Sequence, residues 1–289
     1  MPRPQLIEDP AAWQASCLAA RERGARIALV PTMGALHEGH LSLFREARRL
    51  ADRGGGGGLA LATIFVNPTQ FGPGEDLSRY PRDLEGDLAR CAAAGIDRVL
   101  APRRPEQVFA SGHQTWVTME RASEGLCGAS RPGHFRGVAT VVAKLFNLTR
   151  PHVAVFGEKD FQQLQVIRTM ARELDFGIEV VGMPIVRETD GLALSSRNAY
   201  LSPAERARAL SLSRALSAAR DAAARGERDA AAVRAEARRI LETSVDRVDY
   251  VEVVHPETLA RVERAEPGSV VLVAAFVGKT RLIDNARLP

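Results

Sequence analysis

The sequence predicts an α/β fold: a parallel sheet with helices on both faces, followed by a smaller α+β domain. Three observations carry that reading. Near-continuous apolar runs alternate with helical patterns as far as residue 186. Runs of that kind suit strands buried on both faces, whereas half-exposed strands alternate apolar with polar. From residue 187 onward the order changes to two long helical stretches and then further apolar runs.

The candidate strands are RIALV (26–30), LALATIFV (59–66), RVLAP (98–102), VAVFG (153–157) and IEVVGMPIV (178–186). Helical patterns fill 39–52, 83–94, 135–149 and 160–174 between them. Strands joined through helices run parallel by right-handed crossovers. Their C-termini then line one edge of the sheet, where ligands bind. The glycine run in DRGGGGGLA (52–60) is followed by a strand, not by Gly-Lys-Ser/Thr and a helix. It reads as a connector, not a phosphate loop. Beyond residue 187, helices are expected over 203–224 and 228–243, with Ser202 as N-cap and Pro203 as first helical residue. The apolar runs in VDYVEVVHPETL, SVVLVAAFVG and TRLIDN complete the smaller domain. The expected division is therefore 1–186 and 187–289.

The composition narrows the class. A chain of 289 residues with 45% hydrophobic and 26% charged residues can bury a full core. No run of about 18 apolar residues suggests a membrane span. The start, MPRPQLIEDPAAW, has no apolar core of a secretory signal. Cys17, Cys91 and Cys127 lie too far apart for a disulfide framework or a zinc spacing, which points to a reducing cytoplasm. A net charge of +4 is only mildly basic. The arginines between 204 and 248 are interleaved with Ala, Glu and Asp at helical spacing. They read as solvated helix faces, and an RNA-binding face is the alternative. Neither a membrane nor a nucleic acid is an expected partner.

Four stretches carry chemistry. In VPTMGALHEGHL, His37 and His40 sit where a strand turns into a helix, with Gly34 and Gly39 permitting tight backbone. A helix N-terminus presents N–H groups and partial positive charge to phosphate, and imidazoles can donate to the same anion. Zinc fits poorly, because HxxH here lacks cysteines or a HExxH frame. In FGEKDFQQ, Gly157, Glu158, Lys159, Asp160 and Gln163 follow another strand. Lys159 offers a point charge, and Asp160 can cap the helix or accept from a ribose hydroxyl. In DGLALSSRN, Ser195, Ser196 and Arg197 supply hydroxyls and a guanidinium fork. With the cap of the next helix assigned to Ser202, these three have no capping role and suit a phosphate grip. In IFVNPTQF, Asn67 and Gln70 offer uncharged amides past a strand end, suited to a small hydroxylated carboxylate or to turn chemistry. His134 and Arg136, near another helix start, can act as ligands or as loop braces.

These motifs occur in one order with RPGHFRGV and a near-terminal RLIDN. Together they resemble the pantoate–β-alanine ligase family of the HxGH nucleotidyltransferase superfamily, over nearly the whole chain. The resemblance implies a Rossmann-like domain at 1–186 that binds nucleotide and pantoate, and a smaller α+β domain at 187–289. It implies ATP-dependent ligation of pantoate to β-alanine through a pantoyl adenylate. ATP is then a substrate, Mg²⁺ arrives on its phosphates, no residue ligates metal, and the chain is a cytoplasmic homodimer. It also implies residue roles. Met33, Gly34, Ala35, Leu36, His37, Glu38, Gly39 and His40 line the ATP site, with His37, His40 and Lys159 catalytic. Gly157 and Asp160 belong near the ribose, Glu158 belongs to the ATP site beside them, and Val186 and Leu194 lie against the nucleotide. Lys159, Ser195, Ser196 and Arg197 grip the triphosphate. Gln70 and Gln163 hold pantoate, with Gln70 also near the β-alanine path. Three features depart from the family: the long glycine connector, Thr69 where methionine is frequent, and Phe109 where tyrosine is frequent. A nucleotidyltransferase acting on a phosphorylated substrate would need basic residues in place of Gln70 and Gln163.

Overall fold

The structure is a computed structural model that describes residues 2–53 and 57–289. Gly54–Gly56 of the connector expected at 52–60 lie outside the described residues. The described chain parts into two compact units. One comprises Met1–Glu158 and Val166–Pro184, the other Lys159–Gln165 and Ile185–Pro289. The second unit thus takes in the start of the helix after Gly157, which a single division at residue 186 leaves in the first.

The first unit holds a six-stranded sheet, every pair parallel. Its strands are β1 (Gln5–Ile7), β2 (Ile27–Thr32), β3 (Leu59–Ile64), β4 (Arg98–Leu100), β5 (Val153–Gly157) and β6 (Glu179–Met183). They lie in the order β1-β4-β3-β2-β5-β6. Helices α1 (Pro10–Glu22), α2 (Glu38–Ala51), α3 (Leu84–Ala93), α4 (Leu126–Ser130), α5 (His134–Thr149) and α6 (Phe161–Glu173) connect them. Ala28 and Val30 face a core shared with Phe44 and Leu50 of α2 and with Leu88 and Cys91 of α3. On α1 and α5, fully buried Trp13 donates from Nε1 to Thr149 Oγ1 at 2.9 Å. The central strands β2, β3 and β5 are largely apolar because helices cover both faces.

Strand order reverses between β2 and β5. From β2 the chain proceeds outward to β3 and β4, and from β5 it proceeds the other way to β6. Crossovers departing in opposite directions leave a crevice at the strand C-termini between β2 and β5. The segments leaving that edge are Met33–His37 and Glu158 onward.

In the second unit, α7 (Pro203–Ala209), α8 (Ser211–Ala224) and α9 (Ala230–Glu242) accompany an antiparallel sheet of β7 (Arg247–Val254), β8 (Val270–Val277) and β9 (Thr280–Arg287). Leu212, Leu216, Val233 and Leu241 of the helices share a core with Val251, Val273 and Leu282 of the strands. Ser202 caps α7 in a reciprocal box with Glu205, behind Pro203 at the first turn. The helix expected over 203–224 is interrupted at Leu210, where α7 ends and α8 begins. Several arginines of these helices are occupied in exposed ion pairs, Arg208 with Asp246, Arg238 with Glu242 and Arg239 with Glu236. That is how solvated helix faces behave.

The sequence reading passed over β1, α1 and α4. Helix α1 had a legible start in Asp9-Pro10: the Asp9 side chain accepts from Ala12 N, and proline opens the helix. Strand β1 is only three residues long, too short for a periodic signal, whereas the equally short β4 falls within the expected strand 98–102.

Candidate active site

His37 and His40 cap the start of α2 reciprocally. His37 is the N-cap in extended backbone, and its Nδ1 accepts from Gly39 N at 3.2 Å. His40 Nδ1 reaches back to accept from His37 N at 3.3 Å. This is a capping box built from imidazoles in place of a hydroxyl and a carboxylate. The expected phosphate cradle is thereby corrected in one respect: the imidazoles themselves occupy two of the helix's leading N–H groups. Because both Nδ1 atoms accept, each neutral ring carries its proton on Nε2. The rings lie 4.2 Å apart, centroid to centroid, tilted by 46°. The result is two fixed N–H donors side by side, suited to oxygens that gain negative charge.

The turn that delivers them is held by Asp87 of α3. Its Oδ2 accepts from Ala35 N at 2.9 Å and its Oδ1 from Leu36 N at 2.8 Å. Gly34 is left-handed, with φ +81°, and a Cβ there would lie 2.8 Å from Asp87 Oδ2. Ala35 also has positive φ, at +52°. The carboxylate therefore replaces the hydrogen bonds that a regular turn would make, and glycine leaves room for it. Burial pushes the Asp87 carboxyl above its usual range, against the opposing pull of the Leu36 and Ala35 N–H groups. Glu38 is exposed and pairs with Arg45 at 2.6 Å, which holds its carboxyl below the usual range.

Gln70 lies beside this turn. It ends a 3₁₀ turn, Pro68–Gln70, that follows β3. Its Nε2 donates to Met33 Sδ at 3.1 Å, and its Oε1 accepts from Asn67 Nδ2 at 3.0 Å. Asn67 is fully buried, and its Oδ1 accepts from the Thr69 N–H and hydroxyl. Of the two roles open to Asn67, the turn is the one it performs. Thr69, the departure from the family pattern, closes that turn with its hydroxyl. The Gln70 carbonyl accepts from His134 Nδ1 at 2.8 Å and from Arg131 Nη2 at 3.2 Å. His134 thus braces the Gln70 turn. Arg131 also grips Glu75 through Nε and Nη2, at 2.7 and 2.6 Å. Arg136 stands over the Trp116 ring at 4.8 Å. At Gly137 a Cβ would sit 2.3 Å from Thr69 O and 2.8 Å from Gln70 N, so α5 can press on the turn only through glycine.

The remaining candidates lie in the second unit, apart from Gly157 and Glu158 at the end of β5. Glu158–Asp160 forms a 3₁₀ turn, and Phe161 begins α6 with Gln163 in its first turn. Val186 and Leu194 face each other across a hairpin, Leu194 N donating to Val186 O at 3.0 Å. The hairpin leads into a second 3₁₀ turn, Ser196–Tyr200. Here one expectation fails: Ser195 does have a capping role, its Oγ accepting from Arg197 N at 3.2 Å. The Ser202 cap had seemed to exhaust the need, but it serves α7, and the 3₁₀ turn before it requires its own.

The family follows from comparison with known proteins. The sequence model of the pantoate-beta-alanine ligase family matches residues 5–287. This chain belongs to the pantoate–β-alanine ligase family. A relative named pantothenate synthetase from Anaeromyxobacter dehalogenans (strain 2CP-C) is 77% identical over 289 residues, covering 100% of both chains. Among solved structures, pantothenate synthetase from Thermus thermophilus aligns with a TM-score of 0.91 at 45% identity, covering 99% of this chain and 100% of that one. The Francisella tularensis pantoate-beta-alanine ligase, complexed with beta-gamma ATP and β-alanine, aligns with a TM-score of 0.79 at 26% identity, covering 98% and 97%.

Asp87, which holds the turn before His37, is the residue of this site's surroundings that sequence reading missed. Its only local signal was an aspartate on a predicted helix, and its partners lie 51 and 52 residues away. Asp87→Asn keeps the shape but turns an amide N–H toward a backbone N–H. We expect the variant to remain folded and to lose about 10- to 100-fold in kcat, because the histidine donors shift from their positions. Steady-state kinetics and circular dichroism check this; unchanged kcat removes Asp87 from the machinery.

Proposed function

We propose that this chain condenses pantoate with β-alanine, using ATP, through a pantoyl adenylate and with release of AMP and pyrophosphate. The observation that carries this reading is the pair of reciprocally capped imidazoles at the sheet's switch point, in a chain that matches the family over residues 5–287. A pantoate carboxylate oxygen attacks the α-phosphorus, and pyrophosphate leaves. The neutral β-alanine amine then attacks the acyl carbon. AMP leaves, and the new amide sheds a proton.

Both nucleophiles belong to substrates, so the protein's task is to position them and to neutralise growing charge. The Nε2–H groups of His37 and His40 donate to phosphate oxygens as that charge grows. Lys159, Ser195, Ser196 and Arg197 hold the triphosphate. Gly157 and Asp160 meet the ribose, Glu158 lies beside them in the ATP site, and Val186 and Leu194 pack on the nucleotide. Gln70 and Gln163 hold pantoate. The backbone network around Gln70 supports its part, since its side chain is held between Met33 and Asn67. The cysteines supply no rival nucleophile of note: burial pushes Cys17 up to about 11 and Cys91 to about 12.

The donor set at these positions is N–H, hydroxyl and cationic, which fits phosphate rather than a bare cation. Among the described residues no group of three or more His, Cys, Asp or Glu could hold a metal. In this proposal Mg²⁺ arrives on the ATP phosphates, where it neutralises charge. A homodimer in the cytoplasm completes the proposal, in keeping with the family and with three buried thiols. Among the described residues no helix is long and apolar enough to cross a membrane.

Phosphorus NMR of the purified protein with ATP, Mg²⁺ and pantoate, with and without β-alanine, tests the route. AMP and pyrophosphate should rise in step with β-alanine; ADP and inorganic phosphate would mean an acyl-phosphate route instead. His40→Ala should lower kcat by roughly 10²–10⁴-fold in a folded protein. Near-normal turnover would sink its role. Gln70→Ala should raise KM for pantoate by about 10-fold with kcat little changed, as expected for loss of a uniform binding contact. An unchanged pantoate KM would take Gln70 out of the pocket.

A further inference from the structure

RLIDN is a motif of the sequence reading that the proposed mechanism leaves without a task. Its last two residues, Asp284 and Asn285, are both buried polar residues of β9. Being adjacent in a strand, they project to opposite faces. On one face, Asn285 Nδ2 donates to the backbone carbonyl of Lys159 at 3.0 Å. Arg287, two residues on and therefore on the same face, lies 5.5 Å over the ring of buried Phe161. That face holds the turn from which Lys159 projects.

On the other face, Asp284 accepts from Arg187 Nη1 at 2.7 Å and Nη2 at 2.9 Å. It also accepts from the Asn285 N–H at 2.8 Å. Arg187 Nη1 donates in turn to Gly191 O at 3.1 Å, across the hairpin it begins. Glu188 of that hairpin accepts from Asn198 Nδ2 at 3.1 Å and from both Arg206 nitrogens. Asn198 belongs to the 3₁₀ turn that carries Ser196 and Arg197. Two segments far apart in sequence are thus referred to adjacent residues of one strand. A buried ion pair is a weak source of net stability, since desolvation offsets much of its attraction. Its directional bonds do fix position. An apolar pair at 284 and 285 would fill space without choosing where the Lys159 carbonyl sits.

We infer that Asp284 and Asn285 are positioning residues for ATP: β9 sets the Lys159 turn and the Ser195–Arg197 turn at a fixed separation that matches a triphosphate. This rests on the proposed roles of Lys159 and Ser195–Arg197. Neither β9 residue touches substrate in this scheme; each acts through a backbone or an arginine.

The test uses the full chain and reads ATP apart from pantoate. Asn285→Ala should raise KM for ATP by about 3- to 10-fold, the worth of one neutral hydrogen bond, while KM for pantoate stays within two-fold. If that variant does not fold, Asn285→Asp keeps the shape but sets an acceptor against the Lys159 carbonyl, with the same expected split. Lys159→Ala and the double variant complete a cycle. Since Asn285 acts through Lys159, the double variant should be little worse than Lys159→Ala alone. Lys159→Ala raising KM for ATP while Asn285→Ala leaves it unchanged, or fully additive effects, would overturn the inference but not the site. Lys159→Ala without effect on ATP would overturn the proposed triphosphate grip, and the inference with it.

Discussion

The reversal of strand order between β2 and β5 is the constraint on which the rest depends. In a parallel sheet every connection must cross over, and right-handed crossovers send helices to one face or the other according to direction. Where neighbouring strands send their chains in opposite directions, no crossover roofs the strand ends. In this protein the strands at that point are the ones followed by the two most chemically dense stretches, MGALHEGH and GEKDFQQ. The sheet supplies rigidity, and the loops at its edge carry the polar residues of the proposed site.

Around that edge the polar groups serve orientation. His37 and His40 use Nδ1 to finish a helix and so commit Nε2 to donation. Asp87 takes two N–H groups of the turn that no helix or strand would satisfy. Gln70 is gripped by backbone and side chain at once, through His134, Arg131, Asn67 and Met33. The histidines are held by their own helix start, and the Asp87 turn and Gln70 are held across elements, so these groups have little freedom left to lose. Preorganised donors of this kind stabilise developing charge without rearranging as the charge forms.

The same logic governs the second unit. The hairpin from Val186 to Leu194 buries Leu192 in the second unit's core, and Gly191 at its tip is left-handed. Its shape comes from Arg187, Glu188 and Asn198 and from the partners these find on β9 and α7. Ser195 shows how easily a polar residue serves two ends: its Oγ caps the 3₁₀ turn, and the turn displays Ser196 and Arg197.

By itself the sequence determined the layers and the order of the chemistry. Apolar runs long enough to span a sheet could be nothing but buried strands, and Ser202-Pro203 had to start a helix. The motifs named their residues because a contiguous strand–turn–helix keeps its functional groups within a few positions. What it could not display were relations between distant residues. Asp87 and Ala35, His134 and Gln70, and Asn285 and Lys159 are separated by 52, 64 and 126 positions. No periodicity links such pairs; only packing of α3, α5 and β9 against the site loops brings them within hydrogen-bond distance. For the same reason His134 and Asn67 stayed ambiguous until folded, since a buried imidazole or amide is defined by what it meets. The short strand β1 was hidden too, because three residues carry no pattern until a neighbouring strand holds them in register.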